Sequence, residues 1–293
     1  MTTQFESRFW TSRDGLKLHY RDYAGPEGST ALPVVCLHGL TRNARDFERL
    51  APVLAEGRRV LCPDMRGRGE SEYARDSASY VPLQYIDDLR LLLEEQGINR
   101  FIAIGTSMGG LMTMVMAMIA LGDETAPKIA GAVLNDIGPA MELSGLERIR
   151  EYVGQGRSFP TWVHAARGME EVQSDAHPGQ PLDFWIGLAK QRMTVSTGGR
   201  IVFDYDMKIA EPFASFDADT QPDLWPAFEA LAGAPLLLLH GEKSDLLSAA
   251  TLAKMQARIP AAQAMTVPRV GHAPTLDEPE VVAAITRLVE QVG

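Results

Sequence analysis

A single hydroxyl group, that of Ser107, stands in the stretch FIAIGTSMGGLM (101–112) between two apolar runs. A nucleophilic serine at the end of a buried strand needs a strained turn that holds its hydroxyl clear of the sheet. Such a turn leaves room only for small residues two places before and two places after it. Gly105 and Gly109 occupy those places, and a helix starting behind the serine would supply N–H groups and a positive dipole end. The pattern predicts a nucleophile, although a helix-capping serine would also fit.

Serine is a weak nucleophile until a base removes its proton, so a histidine must lie beside it. The six histidines of the chain are His19, His38, His164, His177, His240 and His272. Only His272 lies in a turn-like loop late in the chain, PRVGHAPTLDEPE, after the last strand-like run and before the last helix. We therefore predict that His272 is the base.

The base must in turn be oriented by a carboxylate. Asp245 lies in the polar loop that follows the apolar run APLLLLHG (234–241), at the strand end where sites of open α/β sheets form. Asp136 ends the preceding run, IAGAVLND (129–136), and is a second candidate. We prefer Asp245, because it lies further past its strand and directly precedes the unit that carries His272; either residue could instead only cap a strand or a helix.

The oxyanion of an acyl-transfer reaction needs two N–H donors. One is predicted to be the N–H of Met108, the residue after the nucleophile. The other is predicted to be that of Leu40 in CLHGLTRN (36–43), where Gly39 lets the backbone turn after an early strand.

Short apolar runs and helical segments alternate along the chain. The runs at 32–39, 58–64, 100–105, 129–136 and 234–241 are continuously apolar, which is typical of parallel strands buried on both faces. The segments at 47–56, 85–97, 249–260 and 280–293 have helical spacing. This order predicts a doubly wound α/β sheet, and the RDG turn in RFWTSRDGLKLHYRDY predicts an antiparallel hairpin at its edge.

The alternation stops between Gly138 and Gln221, where three helical patches lie among polar loops. An insertion of about 80 residues is too long for a loop of a compact domain. We therefore predict a core domain of residues 1–137 and 222–293, with a helical cap of residues 138–221.

Five motifs resemble those of the α/β-hydrolase superfamily. They are the oxyanion loop LHGLTRN, the turn DMRGRGES (64–71), the nucleophile elbow GTSMGG, the acid loop HGEKSD and the histidine loop GHAPTLDEP. The resemblance spans residues 36–279 apart from the insertion. It implies an eight-stranded, mostly parallel sheet with helices on both faces and a helical cap over the site, and for DMRGRGES a structural role rather than a chemical one.

Within that superfamily, serine at the elbow disfavours the dehalogenases and epoxide hydrolases, which use an aspartate there. The loop after His272 lacks the tryptophan often found beside the histidine of carbon–carbon bond hydrolases. We expect a serine esterase acting on small carboxylic esters through an acyl-enzyme. A carbon–carbon bond or enol-lactone hydrolase is the alternative, and a non-catalytic receptor for small ligands is the alternative of another class.

The cap is expected to set the substrate, with Trp162, Trp185 and Met193 lining an apolar pocket, unless these side chains pack the core of the cap itself. Arg42, beside the oxyanion loop, could meet a carboxylate or be a solvated surface residue. We expect no cofactor and no metal.

The composition excludes several classes of partner. With a net charge of −10 and no basic run, the chain has little to offer nucleic acid or an anionic membrane. Its start does not read as a secretory signal, and its longest apolar run, LMTMVMAMIAL, is too short to span a bilayer. Cys36 and Cys62 lie in apolar runs and are expected to be buried free thiols, which favours a cytoplasmic location.

Overall fold

A computed structural model describes residues 4–214 and 221–292. The strands are β1 (Glu6–Thr11), β2 (Lys17–Tyr23), β3 (Val34–Leu37), β4 (Val60–Pro63), β5 (Arg100–Thr106), β6 (Lys128–Asn135), β7 (Ser158–Phe159), β8 (Met193–Val195), β9 (Ile201–Phe203), β10 (Leu236–Gly241) and β11 (Gln263–Val267). The helices are α1 (Leu50–Leu54), α2 (Pro82–Glu95), α3 (Met108–Gly122), α4 (Leu143–Tyr152), α5 (Trp162–Gln173), α6 (Leu182–Arg192), α7 (Ala210–Ala214), α8 (Trp225–Glu229), α9 (Ala249–Arg258) and α10 (Pro279–Gln291).

Eight strands form the main sheet in the order β1-β2-β4-β3-β5-β6-β10-β11. The pairs that β2 makes with β1 and with β4 are antiparallel, and the other pairs are parallel. The predicted mostly parallel sheet is therefore confirmed, as is the edge hairpin.

The central strands are apolar throughout because the sheet is covered on both faces. Alternate residues of β3, such as Val35 and Cys36, enter two different apolar clusters. One cluster contains side chains of α2, α3, α8 and α9; the other contains side chains of α1 and α10. Both cysteines are buried free thiols, as predicted.

The insertion between β6 and β10 covers the carboxyl end of the sheet. Its three predicted helical patches correspond to α4, α5 and α6, and the structure adds a small antiparallel sheet in the order β7-β9-β8. A separate apolar cluster occupies its centre, between Phe159 and Ile201. The two flanks of the insertion instead pack into the apolar cluster of α2, α3, α8 and α9, which contains Leu146 of α4 and Tyr205. Residues 215–220 of the predicted cap lie outside the described part of the chain.

Parallel strands bring their carboxyl ends to one edge of the sheet. The loops that follow β3, β5, β6, β10 and β11 therefore meet beneath the insertion. Within the described ranges, no helix combines the length and the apolar character that a membrane crossing requires.

Candidate active site

Ser107 joins β5 to α3 in a strained backbone conformation. Its φ is 51° and its ψ is −114°, outside the regions that L-residues favour. The residue occupies the N-cap position of α3, yet its side chain accepts no N–H of the helix. The capping interpretation of this serine therefore has no support in the geometry.

Neither of the two predicted glycines has room for a side chain. A β-carbon at Gly105 would lie 2.5 Å from the carbonyl carbon of Gly109. A β-carbon at Gly109 would overlap the carbonyl oxygen of Leu37 on β3. The turn can hold Ser107 above the sheet only because neither neighbour carries a side chain.

His272 lies beside the serine, as predicted, with its Nε2 atom 3.0 Å from Ser107 Oγ. The loop that carries it is fixed from two directions. Asn135 Nδ2 donates to the carbonyl oxygen of Pro274 at 3.0 Å, and the N–H of Gly271 donates to the carbonyl of Ala176 in the insertion at 2.7 Å. The imidazole is only 7% exposed, which limits the access of bulk water to it.

Asp136, and not Asp245, orients the histidine. Its Oδ2 atom lies 2.8 Å from His272 Nδ1. Asp136 directly follows β6 and has a positive φ of 56°. Its side chain contacts the loop that follows β10. There the N–H of Gly241 and the hydroxyl of Ser244 each donate to the carboxylate at 2.7 Å. Three hydrogen bonds satisfy a carboxylate that is fully buried.

The preference for Asp245 is thus corrected by the structure. Its carboxylate makes a bidentate ion pair with Arg148 of α4, in which Nη2 lies 2.8 Å from Oδ1. Burial works to raise the pKa of Asp245, but the hydrogen bonds and charge of Arg148 outweigh it, so the pKa is lower than usual. Through this pair, Asp245 joins the loop that follows β10 to α4 of the insertion.

Both expected oxyanion donors are near Ser107, since Leu40 lines the same cavity and Met108 follows the serine in the chain. Neither the N–H of Leu40 nor that of Met108 donates to an acceptor within residues 4–214 and 221–292. Arg68, from the DMRGRGES turn, contacts both residues: its Nε donates to the carbonyl of Leu40 at 2.9 Å, and its Nη2 is 4.0 Å from the sulfur of Met108. The turn therefore supports the oxyanion loop.

His38, directly after β3, stabilises the same loop. Its Nε2 atom accepts the N–H of Met65 at 3.0 Å, so Nδ1 carries the proton and donates to the carbonyl of Gly39 at 2.8 Å. Complete burial, followed by the charge of Arg68, lowers the pKa of His38. The ring is therefore a neutral structural element.

A small cavity of about 30 Å³ opens beside Ser107 and His272. This is room for about two water molecules. The oxyanion loop lines it from the core, and four residues of the insertion close it, namely Ile149, Tyr152, Gln173 and Arg192. Sequence reasoning missed these four, because the pattern of α4, α5 and α6 shows which face is apolar but not which loop it covers.

Trp162, Trp185 and Met193 do not line this cavity, so their predicted substrate contact is corrected. Trp185 and Met193 are 1% and 2% exposed and belong to the insertion's own apolar cluster, against which Trp162 packs. Large apolar side chains gain more by leaving water together than by lining a small polar cavity.

A second serine–histidine–aspartate chain occurs at the sheet edge. Ser7 Oγ lies 2.7 Å from His19 Nε2, and His19 Nδ1 lies 2.7 Å from Asp64 Oδ2. Ser7 lies on an exposed strand, without the strained turn of Ser107, and it does not line the cavity beside Ser107. Its existence shows that the three residue types alone do not define a site.

In the described ranges, no group of three or more His, Cys, Asp or Glu side chains is placed to hold a metal ion.

Comparison with known proteins places this geometry in a family. The family model described as "Alpha/beta hydrolase family" matches residues 34–285. A 3-hydroxybutyrate-oligomer hydrolase of Cupriavidus necator is 34% identical over 274 residues, covering 91% of this chain and 90% of that protein. An esterase of Mycobacterium tuberculosis is 26% identical and covers 89% of this chain and 83% of its own. The crystal structure of an alpha/beta hydrolase from Novosphingobium aromaticivorans superimposes with a TM-score of 0.92 at 55% identity, covering 99% and 100% of the two chains. The chain is a member of the alpha/beta hydrolase family.

Proposed function

We propose that this hydrolase cleaves small carboxylic esters through an acyl-enzyme formed on Ser107. The observation that carries the proposal is the continuous chain of hydrogen bonds from Ser107 through His272 to Asp136, which ends in a cavity. Each member holds the position that its role requires: a strained nucleophile, a base within hydrogen-bonding distance and a buried carboxylate behind the base.

In the proposed reaction, Ser107 Oγ attacks the ester carbonyl carbon while His272 Nε2 takes its proton. Asp136 accepts the Nδ1–H and stabilises the imidazolium ion. The N–H groups of Leu40 and Met108 donate to the oxyanion. His272 then returns the proton to the leaving alcohol, and it afterwards activates the water that releases the acid.

Short hydroxy-acid esters are the substrate class that we propose. The cavity beside Ser107 is narrow, which favours small groups at the scissile bond, and the Cupriavidus relative is described as a 3-hydroxybutyrate-oligomer hydrolase. The dimer of 3-hydroxybutyrate, which contains one ester bond, is accordingly the first substrate to assay.

The test compares two serines that are both bonded to a histidine. Ser107→Ala is expected to lower kcat/KM on the dimer at least about 1,000-fold, because the nucleophile is lost. Ser7→Ala, which breaks the hydrogen bond to His19 at the sheet edge, is expected to stay within about twofold of the parent. A serine-directed fluorophosphonate should label Ser107 and leave Ser7 unlabelled by peptide mass spectrometry. Activity of Ser107→Ala within tenfold of the parent would overturn the assignment.

A further inference from the structure

Arg192 is a buried arginine that lines the cavity beside Ser107. It ends α6 and is 5% exposed. Its Nη1 donates to Gln173 Oε1 at 3.1 Å, and its Nε has no hydrogen-bond partner among residues 4–214 and 221–292. Among the ion pairs of the described ranges none involves this guanidinium. Of the other buried arginines, Arg66 pairs with Asp88, and Arg58 and Arg68 donate to backbone carbonyl oxygens.

Such a group is costly to the fold. A buried charge without a counter-ion loses its hydration and gains no compensating pair. Burial, and then the charge of Arg42, lowers the pKa of Arg192 to about 9, so the guanidinium is still charged at neutral pH but weakly stabilised. The neighbouring His177 is not a counter-ion for Arg192. Burial and the charge of Arg192 lower the pKa of His177 to about 3, so its ring is neutral.

Arg42 supplies a second positive charge to the same cavity. Arg42 and Ser107 both lie next to Gly39. A β-carbon placed on Gly39 would be 3.4 Å from Cδ of Arg42 and 3.7 Å from Cβ of Ser107. Asp46 pairs with Arg42 at 3.2 Å. The two guanidinium groups and this carboxylate leave one unit of positive charge in excess among these three groups, in the cavity beside the nucleophile.

We propose that Arg192, assisted by Arg42, binds a free carboxylate of the substrate, so that the enzyme selects anionic esters whose carboxylate lies a few atoms from the scissile bond. This inference rests on the proposed ester hydrolysis at Ser107. A carboxylate matches the planar fork of a guanidinium, with two parallel N–H···O bonds. A carboxylate is also a small group, which suits the narrow cavity beside Ser107.

The test compares the dimer of 3-hydroxybutyrate with its analogue in which a neutral carboxamide replaces the carboxylate. The ester bond and the size are the same, so the ratio of the two kcat/KM values isolates the charge. For the parent, we expect a ratio of about 10 to 100, the range typical of hydrogen bonds to a charged group. The ratio should fall at least tenfold in Arg192→Gln and take an intermediate value in Arg192→Lys, which keeps the charge but not the fork.

Arg200→Gln is the matched control, since Arg200 is an exposed arginine of the insertion whose side chain donates to Ser158. Its ratio should equal that of the parent. If Arg192→Gln slows both esters equally and keeps the ratio, Arg192 holds the insertion together and the inference is wrong.

A binding measurement separates this inference from the proposed function. Calorimetric titration of Ser107→Ala with 3-hydroxybutyrate requires no turnover. Adding Arg192→Gln to that variant should weaken binding at least tenfold. Equal affinity in both proteins would contradict the carboxylate site even if ester hydrolysis is confirmed, and loss of binding would support it even if neither ester is cleaved.

Discussion

Two aspartates follow the ends of the neighbouring strands β6 and β10, and their partners give them different roles. Asp136 is fully buried, and its acceptor positions are taken by Gly241, Ser244 and His272. Asp245 is partly exposed and bound to Arg148. A carboxylate can stabilise an imidazolium ion only when it is close to the ring and not already neutralised by a stronger cation, so only Asp136 suits the reaction.

Replacing each aspartate by asparagine should separate these roles. Asp136→Asn is expected to lower kcat about 10³- to 10⁴-fold, because the amide no longer fixes the Nδ1–H tautomer of His272. Asp245→Asn, the matched control one strand away, should lower kcat less than about fivefold, since Asp245 does not contact His272 and a partly exposed ion pair contributes little. Steady-state kinetics on the same ester measures both. The reverse ranking would restore Asp245 as the triad acid.

The residues of the site differ in how far the sequence reveals them. Ser107 and His272 could be predicted because local glycines and chain position mark them. The choice between Asp136 and Asp245 could not, because it depends on Arg148, which lies 97 residues away from Asp245 in the chain. Arg192 gives no local signal either, since an arginine that ends a helix is ordinarily solvated.

At the scale of elements, β5, the Ser107 turn and α3 form one rigid unit. Thr113 bonds back to the carbonyl of Gly109, and the N–H groups of Gly110 and Leu111 both donate to the carbonyl of Ser107. This unit is predictable, because Gly105, Ser107 and Gly109 mark it within five residues of the sequence. The short strands β7 to β9 are not, since two or three residues carry no periodicity.

Alanine substitutions at two helical glycines should have opposite effects on stability. Gly109→Ala would drive a methyl group into the carbonyl of Leu37 on β3, and rigid backbone cannot yield. We expect a loss of more than about 2 kcal/mol in the free energy of unfolding.

Gly187→Ala is the control. A β-carbon there, inside α6, meets no atom within 4 Å, so better helix propensity should add up to about 1 kcal/mol. Denaturant titration followed by circular dichroism measures both variants. A neutral Gly109→Ala would contradict the close packing of the elbow on β3.

At the scale of the whole molecule, the sheet separates two apolar clusters, and Cys36 and Cys62 lie in the same one on adjacent strands β3 and β4. Both are 0% exposed, and burial raises the pKa of Cys36 well above its usual range. A thiol reagent therefore reaches them only when the central sheet opens.

Thiol titration should consequently report global unfolding. The native protein is expected to show no fast reaction with a chromogenic disulfide, and two thiols should react in denaturant. Ser7→Ala, which alters only the sheet edge, should leave the native rate unchanged within about threefold. A thiol that reacts in the native protein at the rate of a free cysteine would contradict the buried placement.

The insertion begins directly after Asp136, and this has a consequence for how the protein can diverge. Ser107, Asp136 and His272 all belong to segments outside the stretch that contains Gln173 and Arg192. A lineage can therefore exchange that stretch by recombination or gradual substitution and change its substrate specificity. The three residues around the nucleophile are inherited unchanged. Among descendants of such an ancestor, we expect the site around the nucleophile to diverge slowly and the residues that contact the rest of the substrate to diverge fast.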